Sequence, residues 1–96
     1  MKIASLAALF RVPVATHNVG GIWLTMSCIH VGLSVMDFLT SEARMTSGEN
    51  ILVMAKNPPV VKGGLTGRPE APGLGVDLDE VGVRKFQRGD DPPDWV

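Results

Sequence analysis

The sequence predicts an α/β fold with parallel strands, and three observations carry that expectation. Helix-type apolar spacing alternates with short β-branched runs through residues 2–42. The first run, residues 12–16, is continuous rather than alternating in its apolar residues, as suits a strand covered on both faces, and residues 37–42 form the second. A helix-length apolar segment separates them, and parallel strands need such a crossover.

The first helix spans residues 2–10, where Ile3, Leu6, Ala7 and Phe10 fall at i, i+3, i+4 and i+7. Only Met1 precedes it, so no start signal caps it. Residues 12–16, VPVAT, form the first strand, with Pro13 tolerable near a strand's beginning. The next helix, within residues 21–36, is apolar on two sides. Ile22, Met26, Ile29, Leu33 and Met36 form one face, expected to cover the two strands. Leu24, Cys28, Val31 and Val35 form the other, with no obvious partner, and Ser27, His30 and Ser34 run between them. Residues 37–42, DFLTSE, complete the pattern as the second strand.

After Glu42 the character changes. Residues 43–50 are polar, and residues 51–55 suit either a short helix or a strand. Residues 57–75 hold four prolines and five glycines, an irregular extended chain with strand pieces at 59–62 and 75–78. The expected division is therefore residues 1–49 as regular core and residues 50–96 as an extended Pro/Gly-rich segment.

Ninety-six residues suffice for one small domain. A net charge of −1 supplies no electrostatic footprint for nucleic acid. The acidic residues near the end (Asp79, Glu80, Asp90, Asp91 and Asp94) are interrupted by Arg84, Lys85 and Arg88 and form no acidic block. Cys28 is the only cysteine, which excludes an internal disulfide and a cysteine-built zinc site and fits a reducing compartment, the cytoplasm. The opening MKIASLAALF resembles a short secretory signal, but Arg11 ends the run and Pro13 occupies the −3 position of the one small-residue cleavage point. Residues 19–36 approach the length of a spanning helix. Three glycines, three hydroxyl residues and His30 interrupt them, and flanking Lys or Arg is missing, so a buried helix is the better reading.

Few residues can carry chemistry. His17 stands at the carboxyl end of the first strand, where α/β folds build their sites. The alternative is a capping histidine bound to a loop carbonyl. Asn18 and the Gly20-Gly21 turn favour a ligand contact, which makes Asn18 a candidate for substrate binding. Glu42 ends the second strand, so His17 and Glu42 project into one mouth, a pairing suited to acid/base work. Its alternative is a solvated glutamate near Arg44. His30 reads as a hydrogen-bonded core histidine. Asp77, Asp79 and Glu80 in GVDLDE lack the remaining ligands of a calcium loop and read as surface carboxylates. Trp23 and Trp95 read as packing or tail residues.

KIASLAALFRVPVATHNVGG, then HVGLSVMDFLTSE, then NPPVVKGGLTGRPEAPGLGVDLDE resembles the C-terminal end of the enolase superfamily. The nearest branch is mandelate racemase and muconate lactonizing enzyme, especially its acid-sugar dehydratases, and the likeness extends to about Val83. It implies a C-terminal fragment of a (β/α) TIM-type barrel, its last two βα units, with an irregular return segment to a missing capping domain. It implies a magnesium-dependent lyase or racemase acting on a sugar acid or hydroxy acid by proton abstraction beside the carboxylate, in a parent that is a homo-oligomer. By position, His17 matches the acid or base ending the seventh strand. Glu42 matches the glutamate ending the eighth, which contacts the substrate carboxylate or the enediolate, and His30 matches a structural helix position.

The pattern is departed from at Ile22, where the family has proline, and at Met36-Asp37, where it has Pro-Asn. The acidic magnesium ligands and the lysine base would lie on strands preceding Met1, and a barrel needs roughly 250 residues. The expectation is therefore an enzyme's tail, inactive alone and holding no metal itself. A small single-helix membrane or interaction protein is the competing class.

Overall fold

The computed structural model describes residues 1–43 and 52–89. Helix α1 (Lys2–Leu9) leads to strand β1 (Val14–Thr16), helix α2 (Ile22–Ser34) and strand β2 (Phe38–Ser41). The return segment carries four two-residue strands, β3 (Ala55–Lys56), β4 (Val61–Lys62), β5 (Leu65–Thr66) and β6 (Asp77–Leu78), and the short helix α3 (Glu80–Arg84). The expected helix–strand–helix–strand order is present. Residue 51 and Trp95, on which two of the expectations fall, lie outside the described residues.

Helix α1 closes without glycine. Val12 N–H donates to the Ala7 carbonyl at 3.0 Å and Arg11 N–H to that of Ala8 at 3.2 Å, which together make a Schellman closure. Arg11 takes the left-handed position, with φ of 55°. Its apolar stripe finds no cover among the described residues: Ile3, Leu6 and Phe10 are all exposed.

Strand β1 begins two residues later than expected, because Pro13 has no N–H for the ladder. The first rung is Val14 N–H to the Asp37 carbonyl, 2.7 Å. From there β1 and β2 run parallel, with Val14 opposite Phe38, a register shift, then Ala15 opposite Thr40 and Thr16 opposite Ser41. The parallel pairing is as the sequence predicts. Coverage is not, because Ala15, Leu39 and Thr40 are exposed.

Helix α2 starts directly after Gly21 and stops where Val35 turns extended. Its 13 residues fall short of the ~20 needed to span a bilayer, and among the described residues no helix is long and apolar enough to cross a membrane.

The faces of α2 are used differently from the expectation. Ile22 and Met26 are buried against Ala55, with Trp23, Ile29, Leu52, Leu74 and Val76 packed around them. Thus the large apolar face meets the return segment, not the strands. The strand side of α2 presents small residues. Thr25 bonds to the β1–α2 turn, and a Cβ on Gly32 would lie 2.8 Å from the Phe38 ring. Side-chain volume decides this, since only small residues let the helix approach the sheet so closely. At the far end of the face expected to be covered, Leu33 and Met36 are instead 62% and 91% exposed. On the second face Cys28 is buried and Leu24 exposed.

The hydroxyls of the polar strip are spent locally, Ser27 on the Trp23 carbonyl and Ser34 on that of His30. His30 Nε2 lies 3.2 Å from the Leu74 carbonyl. An acceptor there requires Nε2 to carry the proton. This is the hydrogen-bonded core histidine the sequence suggests.

In the return segment β3 and β6 pair antiparallel, Ala55 opposite Leu78, and β4 and β5 form a hairpin across Gly63-Gly64. Asp79 caps α3, its Oδ1 accepting from Val81 N–H at 3.1 Å and Gly82 N–H at 3.2 Å. A capping role accounts for one of the carboxylates in GVDLDE. Gly82 is the tightest point, because a Cβ there would sit 1.7 Å from the Val53 carbonyl oxygen. Gly82→Ala must push α3 off this backbone, at a cost at or above the ~1–3 kcal/mol typical of overpacking. The expected readout is faster proteolytic cleavage of the return segment, and a cleavage rate equal to wild type would contradict this packing.

Candidate active site at the paired strand ends

Parallel pairing brings the carboxyl ends of β1 and β2 level. Thr16 lies opposite Ser41, its Oγ1 donating to Ser41 Oγ at 2.8 Å, and Glu42 N–H extends the ladder to the Thr16 carbonyl at 3.0 Å. The next residue on each strand is one of the two that the sequence singles out, so His17 and Glu42 leave the sheet side by side.

The two side chains meet. His17 Nδ1 is 2.6 Å from Glu42 Oε2, and the same oxygen accepts Asn18 N–H at 3.1 Å. A carboxylate can only accept, so Nδ1 carries a proton, and in the neutral ring Nε2 is left with a lone pair. The short distance is that of a charge-assisted bond. The pair is open to solvent, with side chains 78% and 47% exposed. Exposed ion pairs contribute little to stability, so what this contact determines is the ring's orientation and tautomer. A histidine held this way takes a proton at Nε2 and keeps the resulting charge beside a carboxylate.

Asn18 sits differently from the expectation of a substrate contact. It is 0% exposed, its Nδ2 donating to Thr25 Oγ1 at 2.8 Å and its Oδ1 accepting Gly20 N–H at 3.1 Å. Burial and these two internal partners turn the amide inward, and it is the backbone N–H of Asn18 that meets Glu42. Thr25 has no part in the sequence reading except as a polar interruption of an apolar helix. The available signal is its spacing, since a threonine four residues after the Gly21 carbonyl can bond back to the turn, and here it does so at 3.3 Å.

A cavity of about 320 Å³ lies between α2, β2 and the β4–β5 hairpin, lined by Ile29, Leu33, Phe38, Leu39, Val61 and Leu65 among others. Neither His17 nor Glu42 lines it. Chemistry and concavity therefore do not coincide in this chain, and the strand mouth stands open.

Magnesium does not fit the described residues. Among the described residues no group of three or more His, Cys, Asp or Glu side chains is gathered, whereas the ion asks for near-octahedral oxygen ligands anchored by carboxylates. Glu42 Oε2 is already taken by His17 and Asn18.

Known proteins with this pattern are enzymes. The family model for the enolase C-terminal domain-like group matches residues 1–81. A protein named D-galactonate dehydratase from Ralstonia pickettii is 32% identical over 99% of the chain, which spans 26% of that protein. A D-galactonate dehydratase family member from Enterococcus gallinarum is also 32% identical, with 24% of its length spanned. Among solved structures, a mandelate racemase/muconate lactonizing enzyme from Jannaschia sp. CCS1 superposes with a TM-score of 0.82 at 30% identity, over 95% of this chain and 23% of that one. An enolase of the mandelate racemase subgroup from Agrobacterium tumefaciens, solved with sodium and phosphate, gives 0.73 at 27%, over 88% and 23%. The chain thus spans about a quarter of the length of the relatives it matches.

Proposed function

Because the chain belongs to the enolase C-terminal domain-like family, we propose that it supplies the last two strand ends of a sugar-acid dehydratase, with His17 as the residue that moves a proton. The α/β fold is that of the C-terminal portion of this family's TIM-type barrel. The observation that carries the chemistry is the 2.6 Å contact of His17 Nδ1 with Glu42 Oε2. It leaves Nε2 as the nitrogen that accepts a proton from carbon beside the substrate carboxylate, or returns one to a departing hydroxyl. Glu42 holds the ring and balances its charge in the protonated form. The resemblance would also have Glu42 meet the substrate carboxylate or the enediolate. The contacts of its Oε2 support the histidine-orienting role first.

Dehydration is preferred to racemisation because the curated relatives bear the name D-galactonate dehydratase. The substrate class is a small polyhydroxy carboxylate. The magnesium that the family resemblance implies belongs, on this reading, to residues outside those described. The parent is proposed to be cytoplasmic, for which the buried, unpaired Cys28 is the supporting feature, and the family resemblance implies a homo-oligomer.

The test is a chimera in which residues 1–96 replace the matching quarter of the Ralstonia pickettii enzyme. Turnover of D-galactonate or another sugar acid by the chimera is expected, and none by residues 1–96 alone. A folded chimera that turns over no sugar acid, beside an active Ralstonia control, would overturn the proposal, as would turnover by the 96 residues alone.

A further inference from the structure

We propose that Thr25 is a positioning residue for His17, acting through Asn18 and Glu42 from the far side of the β1–α2 turn. The proposal rests on the acid/base role given to His17, but its primary readout is not turnover.

The hydrogen bonds form one chain in which each proton has a single direction. Thr25 Oγ1 gives its proton to the Gly21 carbonyl at 3.3 Å, so toward Asn18 it can only accept. Asn18 must then face it with Nδ2, at 2.8 Å, which turns Oδ1 toward Gly20 N–H at 3.1 Å. A backbone N–H can only donate, so both ends of the amide require the same orientation. The assignment is over-determined.

Asn18 is 0% exposed and Thr25 is buried, so water cannot substitute for either partner. This holds the backbone of residues 18–21 in one conformation. The same backbone presents Asn18 N–H to Glu42 Oε2 at 3.1 Å, and that oxygen takes His17 Nδ1. A hydroxyl on a helix thereby selects which nitrogen of an exposed imidazole is protonated. His30 is a natural control, because its Nε2 is held by Leu74 and shares no bond with this chain.

The experiment uses the chimera, with ¹⁵N-labelled histidine and long-range proton–nitrogen correlation on the alkaline side of the ring's titration. His17 signals are assigned by their loss in His17→Gln. In the parent chimera His17 is expected as the Nδ1–H tautomer, with well-separated ring nitrogens. Thr25→Val, which keeps the shape and removes the hydroxyl, is expected to draw those two resonances toward the tautomer average while His30 stays unmoved. Thr25→Ser restores the separation. If the chimera is active, Thr25→Val lowers kcat with KM nearly unchanged. An unchanged His17 spectrum in a folded Thr25→Val overturns the proposal, and so does movement of His17 and His30 together, which marks general loosening. If Thr25→Val does not fold, Thr25→Ala is judged by the same two criteria. A chimera with no turnover but a Thr25-dependent His17 tautomer would sink the proposed function and leave this inference standing.

Discussion

His17→Asn in the chimera is expected to lower turnover by ~10²–10⁴-fold, the range that a positioned acid or base contributes, while substrate affinity stays within a few fold. The reason is geometric. Asparagine retains a donor for Glu42 but has no group that takes a proton in the neutral range, so it preserves the dyad's shape and removes its chemistry. The side chain is 78% exposed and its ion pair contributes little to stability, so the substitution should leave thermal unfolding nearly unchanged. Steady-state kinetics together with a melting curve separate the two effects. An unchanged kcat would make His17 a cap on the strand end. Equal losses in kcat and Tm would make it structural.

Residues 1–96 alone are expected to sediment as oligomers or aggregate, and to unfold without a sharp cooperative transition. The accessible surface is 7199 Å², whereas a compact protein of this mass exposes about 5,300 Å². The radius of gyration is 15.6 Å, against about 12–13 Å for a compact domain of this length. Ile3, Leu6, Leu9, Phe10, Leu33 and Met36 are exposed. Each large apolar side chain left in water forgoes ~1.5–3 kcal/mol, so a handful matches the ~5–15 kcal/mol that holds a whole domain together. Among the described residues, strands β1 and β2 form a two-stranded sheet, and its edges invite association. Analytical sedimentation with calorimetry decides the matter. A monodisperse monomer with a sharp transition would show that Ile22, Met26 and Ala55 with their neighbours suffice as a core.

What was legible in the sequence was local and periodic. The helical spacing of Ile3, Leu6 and Phe10, the short strand runs around Val14 and Leu39, and the placing of His17 and Glu42 at strand ends all follow from patterns within a few residues of one another. The placing of these two also carried the site, because parallel pairing sets consecutive strand ends side by side. The return strands at residues 61–62 and 77–78 fell within the pieces expected. The partner at residues 65–66 did not, although VKGGLT, two short runs about a Gly-Gly pair, carries a hairpin signal.

Which partner covers which face was decided by tertiary structure alone. Periodicity shows that α2 has two apolar sides, but not that Met26 meets Ala55 while Thr25 and Gly32 meet the strands. That choice depends on the volumes of residues that only the fold brings together, Met26 with Ala55 and Gly32 with Phe38. Asn18 makes the same point for polar groups. In the sequence it stands beside a candidate base and two glycines, as a ligand contact would. In the fold its amide is enclosed, because a buried polar side chain must satisfy its hydrogen bonds before it can serve anything else. The identities of the residues at the strand ends were therefore written in the chain, and their division of labour came from burial.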